Sequence, residues 1–182
     1  MQDQIHLTDL QQRAHEQPLR YLYFWGHTQK GHAISKACLS QWYPAAFTVD
    51  GIRYPTAEHW MMVAKARLFD PIWIERILAN PDPAAAKAFG RKINHFDQSV
   101  WLLHRFDLVV QGNLAKFSQH ADLQAFLLST GDQVLVEASP VDQIWGIGLA
   151  EDDPRAANPA QWRGLNLLGF ALMRVREQRL NQ

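Results

Sequence analysis

The segment Thr56-Ala-Glu-His-Trp-Met-Met-Val-Ala-Lys-Ala-Arg-Leu-Phe69 is rich in helix formers and predicts a helix from Ala57 to Phe69. Thr56 stands where an N-cap belongs, because its hydroxyl can accept a hydrogen bond from a free N–H of the first turn. Directly before it, Phe47-Thr-Val-Asp-Gly-Ile-Arg-Tyr54 predicts two short strands around an Asp50-Gly51 turn. A hairpin followed at once by a helix is therefore expected here.

The rest of the chain predicts mostly helices. They are expected at Ile72 to Ala79, Ala84 to Phe89, Gln98 to Phe117, Leu123 to Leu128 and, as an amphipathic helix, Trp162 to Arg179. Gly112 argues against an unbroken helix from Gln98 to Phe117. Gln133 to Ala138 predicts a strand, and Ile5 to Glu16 a weak helix or a loosely packed arm. The expected fold is mainly α with a few short β-strands (α+β), as an N-terminal arm (1–20) and a single compact domain (21–182).

The composition of the chain argues against several classes of protein. The 182 residues are 47% hydrophobic, and 18 Lys and Arg balance 18 Asp and Glu, which argues against binding driven mainly by an extended phosphate backbone. The lone Cys38 excludes an internal disulfide framework and fits a reducing compartment. The N-terminus lacks the pattern of a signal peptide, and no apolar run is long enough to span a bilayer. A soluble, cytoplasmic protein with no membrane partner is expected.

Glu58 is the first candidate for chemistry, although its position has an ordinary explanation. In the first turn of its helix, the positive end of the helix dipole favours a carboxylate and tends to keep it ionised. From position alone, a role in stabilising the helix is the commoner outcome.

The segment Glu137-Ala-Ser-Pro-Val-Asp-Gln-Ile-Trp-Gly-Ile-Gly148 follows the buried run Val134 to Val136 and has the composition of a site loop. Glu137 and Asp142 flank its proline, and Trp145 is close by. Carboxylates can activate water or stabilise an oxocarbenium-like transition state in glycosidic hydrolysis. The alternative for Asp142 is a turn cap that binds backbone N–H groups.

Trp101 and Arg105 are one helical turn apart, so they could share a cleft in which one stacks a base and the other meets a phosphate. Core packing is the commoner role of such a Trp. The scattered cations Lys65, Arg91 and Lys116 could gather around a phosphate, or could simply be solvated surface.

Several other kinds of site are not supported. The eight histidines show no zinc-type spacing, so no metal is implied, and Gly146-Ile-Gly148 is too short for a dinucleotide loop. Cys38 and the serines lack the context of a covalent nucleophile.

The chain resembles the NADAR family, also called YbiA-like, over roughly Tyr23 to Leu180. The resemblance is carried by these segments, in this order: Leu39-Ser-Gln-Trp-Tyr-Pro44, Tyr54-Pro-Thr-Ala-Glu-His-Trp60, Lys65, Phe69, Gly90-Arg91, Trp101, Arg105, Lys116-Phe117, Leu128-Ser-Thr-Gly-Asp132, Val136 to Leu149, and Trp162-Arg-Gly-Leu-Asn-Leu-Leu-Gly169 with Leu172-Met173 and Arg176. Where many members have Ser-Asn-Phe, this chain has Ser40-Gln41-Trp42, a difference that bears on substrate choice.

The resemblance implies a mainly helical N-glycosidase that needs no cofactor. Members of the family act on ribosylamino-pyrimidine intermediates of riboflavin synthesis or remove ADP-ribose from guanine bases, so the expected partners are a small ribosyl nucleotide or, alternatively, ADP-ribosylated DNA. A non-catalytic module that binds ADP-ribose or NAD is a further alternative. The family's proposed active-site positions fall on Glu58, Trp101 and Asp142. Residues expected to contact substrate are Trp42, Lys65, Arg91, Arg105, Lys116, Glu137, Trp145 and Gly146.

Overall fold

Helix α2 (Ala57–Phe69) lies at the centre of the structure, a computed structural model that describes residues 2–29 and 31–180. The outer limits expected for the arm and the domain, residues 1 and 182, lie outside the described residues. The other helices are α1 (Gln2–Glu16), α3 (Ile74–Ala79), α4 (Pro83–Gly90), α5 (Gln98–Gln119), α6 (Ala121–Ser129) and α7 (Leu167–Leu180). Together with the four short strands of the described residues, they form one mainly helical domain, which confirms the expected fold class.

The sequence around α2 folds as predicted. Thr56 caps the helix, its Oγ1 accepting from the backbone N–H of His59 at 3.4 Å. Strands β2 (Phe47–Val49) and β3 (Ile52–Tyr54) form the predicted antiparallel hairpin. Asp50 and Gly51 both have positive φ, the conformation that a tight hairpin turn requires. Helix α2 then packs against α3, α4 and α5.

A second, two-stranded sheet joins distant parts of the chain. Strand β1 (Tyr21–Phe24), which was not predicted, pairs in parallel with β4 (Val134–Glu137), and Phe24 stands opposite Glu137. Leu135 of β4 packs into the main core around α2, α5 and α7, whereas its neighbours Val134 and Val136 pack into a smaller core. Because both faces of β4 are buried, the position where it ends is firmly held.

Helix α1 covers the smaller core. Leu10 is buried there, and the helix contacts α5 and the short 3-10 turn Pro159–Gln161. The segment expected to be a weak helix or an arm is thus a helix packed on the domain. None of the helices in the described ranges is long and apolar enough to cross a membrane.

Helix α5 runs unbroken through Gly112, contrary to the expectation raised by that residue. A Cβ at this position would lie 2.3 Å from Cδ1 of Trp60. Glycine here therefore allows α5 to approach α2 closely, and packing outweighs its low helix propensity.

The helix predicted from Trp162 begins only at Leu167, so that prediction was wrong at its N-terminal end. The backbone N–H groups of Leu165 and Asn166 donate to the carbonyls of Gln143 and Gly146, at 3.0 and 3.1 Å, instead of to a helical turn. The amphipathic pattern also fails at this end, because residues 167–172 are all buried. Non-local hydrogen bonds and burial thus override the local pattern.

Candidate active site

A cavity of about 630 Å³ opens between α2, α4, the N-terminal end of α5 and the loop after β4. Its wall carries three kinds of functional side chain: the carboxyls of Glu58, Glu137 and Asp142, the cations Lys65, Lys87 and Arg91, and the indoles of Trp42, Trp101 and Trp145. The volume is in the range of small-molecule sites. We call this space the carboxylate cavity.

Glu58 lies in the first turn of α2 but is only 2% exposed, unlike an ordinary helix-stabilising carboxylate. Its backbone N–H donates to the Gln41 carbonyl at 3.0 Å, and its Oε1 is buried without a hydrogen-bond partner. Burial raises the pKa of this carboxyl to about 7, against the opposing effects of Lys87 and of a hydrogen bond from the Trp42 side chain. Burial thus outweighs the helix dipole, which was expected to keep Glu58 ionised.

Glu137 is the last residue of β4, and its backbone is fixed on both sides. Its N–H donates to Asn166 Oδ1 at 2.9 Å, and its carbonyl accepts from the Ile147 N–H at 3.0 Å. The side-chain Oε2 is buried without a partner. Burial, and then the negative charge of Asp142, raise the pKa of this carboxyl to about 8, although Lys87 acts in the opposite direction.

Asp142 caps a turn, which is one of the two alternatives predicted for it. Its Oδ1 accepts from the backbone N–H groups of Ile144 and Trp145 at 2.9 and 2.8 Å, so it caps the turn. Its carboxyl also lines the carboxylate cavity, and its charge acts on both Glu58 and Glu137. The structure therefore brings the two family-matched carboxylates to one cavity.

The three indoles come from different elements and are all partly buried. Trp101 lies in the first turn of α5, where it lines the cavity and also packs against the main core. Trp42 precedes the hairpin, and Trp145 follows the turn capped by Asp142. Flat apolar walls of this kind suit a planar base.

The predicted cations lie in very different settings. Lys65 lines the cavity, but its Nζ donates to the Gly90 carbonyl at 2.8 Å and lies 4.4 Å from the Phe96 ring centroid. Arg91 lines the cavity and is exposed. Of these two, Arg91 has the more accessible charge.

Three predicted contact residues do not reach the cavity. Lys116 is fully buried, and its Nζ donates to the carbonyls of Cys38 and Ser40 at 2.6 and 3.0 Å. Arg105 of α5 is also buried, and it does not line the cavity. These two cations do not gather around a phosphate in the cavity.

Gly146 also lies behind the cavity wall. A Cβ there would be 2.8 Å from the Glu137 carbonyl oxygen, so the glycine is needed for close backbone packing. Its contribution is to the shape of the loop.

Lys87 and Gln41 line the cavity but were not predicted as site residues. Lys87 is the one charged residue of α4, in the sequence Pro83-Ala-Ala-Ala-Lys-Ala-Phe-Gly90, and that isolation was the available signal. The Gln41 side chain is held by Asn113, whose Nδ2 donates to its Oε1 at 2.8 Å, and Gln41 Nε2 is buried without a partner. Gln41 thus lines the cavity and has an amide donor that no protein group accepts.

This arrangement suits acid and base catalysis beside an aromatic wall. Two carboxyls that each have a buried oxygen and a raised pKa can exchange protons near neutral pH, and a fixed third carboxyl supplies negative charge. Across residues 2–29 and 31–180, no group of three or more His, Cys, Asp or Glu is placed to hold a metal ion.

Comparison with known proteins finds relatives that are similar in sequence and one that is similar in fold. The sequence profile of the NADAR domain matches residues 23–180. The chain is 38% identical over 165 residues to N-glycosidase R617 of Acanthamoeba polyphaga mimivirus, covering 87% of this chain and 96% of that protein. It is 36% identical over 142 residues to N-glycosidase Npun_R5314 of Nostoc punctiforme, covering 78% and 84%. The fold is similar to the NMR structure of the E. coli protein YbiA, with a TM-score of 0.72 and 28% identity over 89% of this chain and 86% of that one.

Proposed function

The chain belongs to the NADAR family and is an N-glycosidase, and we propose that it hydrolyses the N-ribosyl bond of reactive ribosylamino-pyrimidine intermediates of riboflavin biosynthesis. The observation that carries the proposal is the buried Glu58 carboxyl, with one unpartnered oxygen, in a cavity walled by tryptophans. Because no protein group bonds that oxygen and Glu58 lines the cavity, we expect the carboxyl to bind a water molecule beside the sugar.

Glu58 orients and deprotonates the attacking water in this proposal. A base works best when its pKa is near the working pH, and burial raises the pKa of Glu58 to about 7. The positive charge of Lys87 and the Trp42 hydrogen bond favour its ionised form. Glu58 can therefore be a carboxylate before the reaction and accept a proton during it.

Asp142 stabilises the positive charge that develops at the ribosyl C1 as the bond to nitrogen breaks. Two backbone N–H groups fix its Oδ1, so the carboxylate needs little reorganisation when that charge appears. Its location on the same cavity as Glu58 supports a division of roles between the two groups.

The leaving base stacks against the indoles in this proposal. Trp42 and Trp101 provide the aromatic surface, and the free Nε2 of Gln41 is a donor for a carbonyl of the base. Arg91, exposed at the cavity, is the cation best placed to meet a phosphate of the substrate.

The test compares the wild-type protein with Glu58→Gln on two substrates. The proteins are incubated with the ribosylamino-pyrimidine intermediate and with ADP-ribosylated guanine DNA, and released ribose phosphate and ADP-ribose are followed. We expect ribose phosphate from the wild type and none from Glu58→Gln, which should still fold and bind the substrate.

Glu75→Gln is the matched control. Glu75 is also a first-turn glutamate, in α3, but it is exposed and outside the cavity, so this variant should keep full activity. Release of ADP-ribose alone would replace the proposed substrate with ADP-ribosylated DNA. Release from neither substrate, or an active Glu58→Gln, would overturn the proposal.

A further inference from the structure

Two carboxyls of the carboxylate cavity share an unusual state. Glu58 Oε1 and Glu137 Oε2 are both buried, and neither has a hydrogen-bond partner. An ionised carboxylate left in this state is costly, because nothing replaces the water it has lost. The two carboxylates also repel each other when both are charged, because they are close enough for their charges to interact. One of them therefore holds a proton when the other is ionised.

The surroundings decide which of the two keeps the proton. Lys87, a hydrogen bond from Trp42 and Arg91 favour ionised Glu58. The negative charge of Asp142 opposes them. Glu137 faces two negative neighbours, Asp142 and Glu58, and Lys87 is the cation that opposes them. Glu58 is thus the first of the pair to ionise, and Glu137 is the one that stays protonated.

We propose that Glu137 is the general acid of the reaction, which protonates the leaving base while Glu58 acts on the water. This inference rests on the proposed function and adds a proton donor to it. Glu137 lines the same cavity as Glu58, Asp142 and the indoles, and this cavity is where the substrate would bind.

The bond between C1 and the base nitrogen breaks, its electron pair passes to the nitrogen, and the proton of Glu137 is transferred to the leaving base. Water forms the new bond to C1 and gives its proton to Glu58. After the products leave, Glu58 releases that proton and Glu137 takes one from solvent, so the sum is addition of one water across the bond.

The fold holds Glu137 in the manner that such a role requires. Its backbone N–H is bound by Asn166 and its carbonyl by Ile147, and the strand before it is packed on both faces. A donor on a rigid strand end keeps its position while the substrate changes shape.

The experiment varies how much the leaving group needs a proton. Wild type, Glu137→Gln and the control Glu75→Gln are assayed on the ribosylamino-pyrimidine and on 4-nitrophenyl ribofuranoside 5-phosphate, whose leaving group departs as a stable anion. General acid catalysis contributes roughly 10²–10⁴-fold. We expect Glu137→Gln to lose about 100-fold or more on the pyrimidine but to stay within about threefold of wild type on the nitrophenyl compound.

A pH profile on the pyrimidine provides the second measurement. Wild-type kcat/KM should fall as the pH rises through the alkaline limb, because the acid must be protonated to act. Glu137→Asp, which retains a shorter acid, should keep that limb at reduced rate, whereas Glu137→Gln should lack it.

The outcomes separate this inference from the proposed function. A wild-type protein inactive on the pyrimidine would refute the function itself. If the wild type is active, then full pyrimidine activity of Glu137→Gln would overturn the role of Glu137. An equal loss on both substrates would also overturn it, and so would an unchanged alkaline limb.

Discussion

The side chain of Asn166 binds the backbone of Glu137, which lies 29 positions earlier in the chain. Its Oδ1 accepts from the Glu137 N–H at 2.9 Å, while its Nδ2 donates to the Leu135 carbonyl at 2.9 Å. Asn166 itself has φ of +54°, a conformation that asparagine adopts more readily than most residues. One side chain thus fixes the strand end that carries Glu137.

Replacing Asn166 should therefore cost both stability and activity. Asn166→Ala leaves the Glu137 N–H and the Leu135 carbonyl without these partners and places alanine at positive φ. We expect a loss of about 3 kcal/mol in the free energy of unfolding, measured by urea denaturation, together with a lower kcat.

Asn158→Ala is the matched control for this change. Asn158 caps the short turn Pro159–Gln161, its Oδ1 accepting from the Ala160 N–H at 3.0 Å, and the bond is exposed. That variant should lose about 1 kcal/mol and keep its kcat. Equal losses in the two variants would show that Asn166 has no special place in the site.

Lys87→Met should move the pH dependence of activity to higher pH. The ammonium of Lys87 favours the ionised forms of Glu58 and Glu137, whose pKa values are raised to about 7 and about 8. The wild-type optimum is expected between these two values, with Glu58 ionised and Glu137 protonated. Without Lys87 both pKa values rise further, so both limbs of the kcat/KM profile should shift upward by about one pH unit.

Lys92→Met is the control for Lys87→Met. Lys92 is exposed and lies outside the carboxylate cavity, so its removal should leave the profile in place. An unshifted profile in Lys87→Met would mean that this lysine does not set the charge state of the pair.

Gly112→Ala should destabilise the contact between α5 and α2. The added Cβ would lie 2.3 Å from Cδ1 of Trp60, whose Nε1 donates to the Leu108 carbonyl at 2.7 Å and so restrains the ring. A loss of about 1–3 kcal/mol is expected from thermal or urea unfolding. Gln111→Ala, at the exposed neighbour on the same helix, should cost little or stabilise slightly. A stable Gly112→Ala would show that glycine is not required there.

Local patterns in the sequence predicted the hairpin, α2, α5 and β4, because each depends mainly on its own residues. Strand β1 was missed, since its four residues are ordered by pairing with β4 more than a hundred positions away. The early start predicted for α7 failed for a similar reason, because Leu165 and Asn166 bond a distant loop.

The sequence predicted only part of the candidate site, because some of its residues are brought together by tertiary packing. Family motifs pointed to Glu58, Trp101 and Asp142, and the structure brings all three to one cavity. Spacing could not show that Glu137 joins them in the cavity with its Oε2 buried, because its position follows from the tertiary packing of β4. Lys87 was not predicted, because its charge acts on Glu58 only through the packing of α4 against α2.

The raised pKa values also predict how stability depends on pH. A carboxyl that titrates at 4.5 when unfolded and at about 7 when folded binds more protons in the folded state between those values. The free energy of unfolding should therefore fall as the pH rises from 5 to 8, and Glu137 adds to this trend. Glu58→Gln cannot ionise, so relative to wild type it should gain on the order of 2–3 kcal/mol between pH 5 and pH 8. Urea denaturation of both proteins at the two pH values gives this difference, and groups common to both, such as His59, cancel in it. Parallel pH curves for the two proteins would contradict the burial of an ionisable Glu58.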